Sequence, residues 1–64
     1  MYKKYCVRFF RHDGESTEEY FYNTLPSALE HLDLFRDDST GLYKKIEIIC
    51  IETPERIVDR ILFK

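Results

Sequence analysis

The residues best equipped for chemistry in this chain are His12, Asp13 and Ser16, which stand together as an imidazole, a carboxylate and a hydroxyl. Such a set can relay a proton and activate a nucleophile, but it needs a third supporting group and a water-poor cleft. Here the three residues surround Asp13-Gly14, and an Asp-Gly pair marks a turn because glycine accepts positive φ without steric cost. A turn tip is solvated and offers no pocket. The sequence therefore predicts no catalytic site.

Metal and cofactor chemistry fare no better. His31 falls at the flank of an apolar helical stripe, where a partly exposed histidine is the ordinary outcome. Asp37, Asp38, Ser39 and Thr40 offer oxygen atoms, yet they lack the alternating ligands and the closing bidentate glutamate of a calcium loop. Cys6 and Cys50 are the only cysteines, with no CxxC spacing and no clustered histidines, so they read as reduced, half-buried thiols rather than zinc ligands. Pairing them as a disulfide requires Cα atoms within about 7 Å, which the sequence leaves open. With two glycines in all there is no phosphate-cradling loop, and no cofactor is expected.

What remains is recognition. Aromatic, cationic and apolar side chains recur in strand-like runs: Tyr5 to Phe10, Tyr20 to Tyr22, Ile46 to Ile51 and Ile57 to Phe63. A strand sends alternate side chains to opposite faces, and these runs are apolar on both. Only one helical pattern is present to cover them. Leu25, Ala28, Leu29, Leu32 and Phe35 share one stripe, with Thr24 placed as N-cap, Pro26 in the first turn and an end near Arg36. Leu34 falls on the opposite side, and Asp37 and Asp38 belong at or beyond the helix end, where carboxylates no longer oppose the macrodipole.

The predicted order is ββαββ. Strands are expected over residues 2–11, 18–23, 42–52 and 57–63, the last two joined through a turn at Pro54. The final run also satisfies i, i+4 spacing at Ile57, Val58, Ile61 and Leu62, so a ββαβα chain with a short C-terminal helix is the alternative. A right-handed crossover through the helix places strand 3 beside strand 1, giving an α+β fold with an antiparallel sheet of order 2-1-3-4 and the helix on one face. The helix side is expected to hold Tyr5, Val7, Phe9, Phe21, Ile46, Ile48, Ile57, Ile61 and Phe63. The open side is expected to show Cys6, Arg8, Phe10, Tyr20, Tyr22, Lys45, Glu47, Ile49, Ile51, Val58, Arg60 and Leu62. From these, Arg8, Phe10, Tyr20, Tyr22, Lys45, Ile49, Ile51 and Arg60 form the candidate partner-binding face.

Sixty-four residues make one small domain, residues 1–64, and a chain of this length buries only about 60% of the surface its unfolded form exposes. Burying a second sheet face against another copy would add stability, so a homodimer, or a complex with another protein, is the expected partnership. Single-stranded nucleic acid is the alternative, through rings interleaved with Arg8, Lys45 and Arg60, but a net charge of −2 lacks the basic excess that phosphate recognition brings. The charge is unevenly spread. Residues 1–11 carry Lys3, Lys4, Arg8 and Arg11 without an acid, and residues 12–20 carry Asp13, Glu15, Glu18 and Glu19 without a base, so a hairpin of the two is drawn together. The acidic set Glu15, Glu18, Glu19, Asp33, Asp37 and Asp38 also admits a decoy of a nucleic-acid-binding protein, an idea the small net charge does little to favour. Apolar runs are short and no leader pattern stands at the amino terminus, so a cytoplasmic protein without a membrane segment is expected. In size and layout the chain is similar to the short proteins often carried on bacterial mobile elements, a likeness that rests on no motif and gives no residue a role.

Overall fold

A computed structural model describes residues 3–12, 14, 17–52 and 54–63. Four strands and one helix follow in the order β1 (Tyr5–Arg11), β2 (Thr17–Tyr22), α1 (Leu25–Asp33), β3 (Tyr43–Cys50) and β4 (Arg56–Leu62). The strands form one sheet of order β2-β1-β3-β4 in which every neighbouring pair is antiparallel. The helix packs on β1, β2 and β3 and does not reach β4. This is the α+β architecture expected from the residue pattern, and the last run is a strand rather than a helix. Among the described residues no helix is long and apolar enough to cross a membrane.

The core lies between α1 and the two central strands. Val7, Phe9, Ala28, Leu32, Tyr43, Ile46 and Ile48 are buried there, with Leu25, Leu29, Phe35, Ile61 and Phe63 packed around them. Alternation in β1 and β3 supplies one side of this layer and the i, i+3, i+4 stripe of α1 the other. The helix is shorter than its stripe. Past Asp33 the backbone tightens to i, i+3 bonds, Leu34 N to His31 O at 3.3 Å and Phe35 N to Leu32 O at 3.1 Å, yet the chain keeps turning and Phe35 still reaches the core. Gly41, at φ 75°, then takes a left-handed conformation just before β3.

Four side-chain placements differ from the sequence expectation, and register explains each. Tyr20 pairs with Val7 and Tyr22 with Tyr5, so both tyrosines share the helix side, and Phe21, paired with Cys6, turns to the open side. An aromatic run of three has no polar member to fix its parity, and a shift of one residue exchanges its faces. In β4 the ladder shifts between Ile48 and Ile49, leaving Val58 as the extra residue of a bulge. Ile57 consequently pairs with Ile49 on the open side instead of facing the helix.

The two cysteines are free and buried. Cys6 pairs with Ile49 on the open side, whereas Cys50 pairs with Tyr5 on the helix side, so the sheet itself separates the thiols. Phe9 is fully enclosed, 1% exposed, whereas Leu34 is 76% exposed. Phe9→Ala is expected to cost about 3 kcal/mol or more and Leu34→Ala within ~0.5 kcal/mol, read from urea unfolding midpoints at constant slope.

Candidate interaction face

The side of the sheet away from α1 presents three rows of side chains, each running across strands in the order β2, β1, β3, β4. Phe21, Cys6, Ile49 and Ile57 make an apolar row. Glu19, Arg8, Glu47 and Arg60 make a charged row in which the sign alternates at every strand. Phe10, Lys45 and Leu62 continue the third row across β1, β3 and β4.

Both carboxylates of the charged row are paired within the molecule. Arg8 Nε donates to Glu19 Oε2 at 2.7 Å, and Lys45 Nζ, one row away on the same strand as Glu47, lies 3.4 Å from Glu47 Oε2. Glu47 is only 5% exposed although no helix covers it, because it stands between Arg8 and Arg60 on the neighbouring strands. Lys45 also sits over the Phe10 ring, 4.6 Å from its centroid. Opposite charges directly across a ladder stabilise it modestly. Burial pushes the Cys6 thiol above its ordinary value, with the nearby Glu19 carboxylate adding to the effect, so this thiol stays protonated and unreactive at neutral pH.

Apolar exposure is concentrated at the ends of these rows. Phe21 is 46%, Ile57 51% and Leu62 64% exposed, while Cys6 and Ile49 at the centre are shielded by their neighbours. A shallow recess of about 220 Å³ between β3 and β4 is lined by Arg8, Glu47, Ile49, Glu55, Arg56 and Ile57. Of the residues expected on the partner-binding face, the structure brings together Arg8, Phe10, Lys45, Ile49 and Arg60. Ile51 follows the last residue of β3, half-buried, its N–H bonded to the Lys4 carbonyl at 2.9 Å. Tyr20 and Tyr22 belong to the other side. Phe21, Ile57 and Glu19 take their place, and the signal for them was the pairing of β1 with β2 and the bulge in β4, neither visible in local composition.

This exchange matters for nucleic acid. Of the rings and cations expected of a stacking platform, Phe10, Arg8, Lys45 and Arg60 share the open side, where Arg8 is bound to Glu19 and Lys45 lies between Glu47 and Phe10, while Tyr20 and Tyr22 lie on the helix side.

On the helix side the tyrosines build an aromatic cluster with His31. Phe9 packs edge-to-face against Tyr20 and Phe35 and at a tilt against His31 and Tyr43, at centroid distances of 5.6, 4.9, 5.3 and 5.1 Å. Tyr20 and Tyr43 each donate a phenolic hydrogen bond of 3.1 Å to Glu18, one to each carboxylate oxygen. Tyr22 Oη lies 2.6 Å from His31 Nδ1. Burial lowers the His31 pKa from its usual value, favouring a neutral ring. Tyr22 then donates to Nδ1 and the ring proton resides on Nε2.

Of the sequence's chemical candidates, His12 is exposed, while Asp13 and Ser16 lie outside the described residues. Thr40 Oγ1 donates to Asp38 Oδ2 at 2.8 Å and accepts from Leu42 N at 3.2 Å, which makes Thr40 a turn residue. Among the described residues no group of three or more His, Cys, Asp or Glu side chains is placed to hold a metal ion.

Because the folded state holds His31 neutral and the unfolded chain does not, protonation favours unfolding. The stabilisation is present above the unfolded-state pKa of about 6.5 and is lost as pH falls through that value toward the lower folded-state pKa. Thermal melts between pH 7.5 and 5.5 are expected to show a falling midpoint, and His31→Gln is expected to flatten that slope.

In comparisons with known proteins, no family model, no curated protein and no solved structure matches the chain, so the reading of this face rests on its own geometry.

Proposed function

We propose that this chain is a small protein-interaction module that self-associates as a homodimer through the open face of its sheet and carries no catalytic site. The observation that carries the reading is the set of exposed apolar side chains Phe21, Ile57 and Leu62 on the one sheet face that α1 leaves uncovered. Aromatic and aliphatic anchors beside arginines are what interfaces concentrate, and a small domain gains stability by burying them against a second copy. Two free thiols suit a reducing cytosol as the setting.

At tens of micromolar, sedimentation equilibrium is expected to return about twice the 7.8 kDa chain mass. Phe21→Asp and Ile57→Asp put a charge at exposed positions that the fold tolerates, and each is expected to weaken association about tenfold or more, equivalent to ~1.4 kcal/mol. Leu34→Asp, on the outer side of the helix, is the control and leaves the dimer intact. A chain that stays at 7.8 kDa at millimolar concentration overturns self-association.

A further inference from the structure

We infer that the two copies meet face to face about a twofold axis that runs parallel to the strands, between β1 and β3; this rests on the self-association reading. The charged row decides it. Across the sheet it reads Glu19, Arg8, Glu47, Arg60, or minus, plus, minus, plus. A half-turn about an axis lying between two facing sheets and parallel to their strands reverses the strand order. β2 of one copy then lies against β4 of the other, and β1 against β3.

Every charged position in the row falls over one of opposite sign under this operation, with Glu47 enclosed between its arginine neighbours. Glu19 lies over Arg60 of the second copy, Arg8 over Glu47, and the two reciprocal contacts follow by symmetry. The neighbouring rows are compatible with the same axis. Cys6 falls over Ile49 and Phe21 over Ile57, apolar against apolar, and Phe10 falls over Lys45, repeating between copies the ring and ammonium contact they make within one.

The competing face-to-face arrangement has its axis across the strands, along the charged row. It keeps strand order and sets each charged residue against its own copy, Glu19 on Glu19, Arg8 on Arg8, Glu47 on Glu47 and Arg60 on Arg60. Like charges brought together at an interface are strongly unfavourable. Sheets stacked face to face pack with strand directions within about 30° of each other, about 10 Å apart, so the first arrangement also falls within ordinary sheet packing.

Isotope-filtered NMR on an equal mixture of labelled and unlabelled protein tests this on the unaltered chain. Intermolecular contacts are expected between the Phe21 ring and Ile57 methyls and between the Phe10 ring and the Lys45 side chain. A chemical readout runs beside it: Phe21→Cys and Ile57→Cys chains, mixed and treated with a short thiol cross-linker, are expected to give the heterodimer, with neither variant linking to itself. Cys6 and Cys50, 1% and 4% exposed, are shielded from the reagent, and the unaltered protein controls for them. A dimer by sedimentation that shows Ile57 to Leu62 contacts between copies, as the competing axis requires, self-linking of either variant, or no open-face contact overturns the axis while leaving self-association standing. A monomer at every concentration overturns both.

Discussion

One nine-residue helix must serve a four-stranded sheet. Set against β1, β2 and β3, the helix buries one side of those strands and none of the other. The rest of the molecule follows from that mismatch. Phe9 becomes the hub of the covered side because β1 is central and the helix passes over it. The uncovered side has to satisfy itself with what the strands carry, and it does so by lateral pairing. Arg8 and Lys45 lean on Glu19 and Glu47 and shield the sheet between them.

That lateral pairing explains how a face with buried Cys6 and Ile49 coexists with water. Long charged side chains cover apolar surface with their stems while their heads remain solvated. Only at the ends of the apolar row, where no neighbouring strand supplies a further stem, do Phe21 and Ile57 emerge.

The strand order and the helix were legible in the sequence because each rests on a signal many residues long. The stripe from Leu25 to Phe35 has a period no strand can imitate, and the split of charge between residues 1–11 and 12–20 announced the hairpin that the Arg8 to Glu19 ion pair now closes. Facing was less legible. Tyr20, Phe21 and Tyr22 are interchangeable to a period-two argument, and their parity is set by the length of the preceding loop. Ile57 was misplaced because one extra residue at Val58 inverts everything before it in β4. Both are register effects, carried by backbone geometry between strands and absent from the composition of either strand alone. The alternating charged row was hidden for the same reason. Its members, Glu19, Arg8, Glu47 and Arg60, are scattered over the chain and become neighbours only when all three pairings are fixed.

In the proposed dimer the two kinds of row have different tasks. Exposed ion pairs are each worth about 0–1 kcal/mol, and Arg8 and Glu19 already satisfy each other within one copy, so exchanging partners across an interface adds little affinity. Affinity must come from removing Phe21, Ile57 and Leu62 from water, a non-directional force that would accept several orientations. The charged row supplies direction, because only one of the two face-to-face half-turns avoids setting like charges together. A face built this way has Arg8 and Lys45 paired with Glu19 and Glu47 in the single copy, and in the proposed dimer it selects one geometry. Such an assembly responds to concentration rather than locking shut, which is the behaviour expected of an interaction module whose partner surface is a copy of itself.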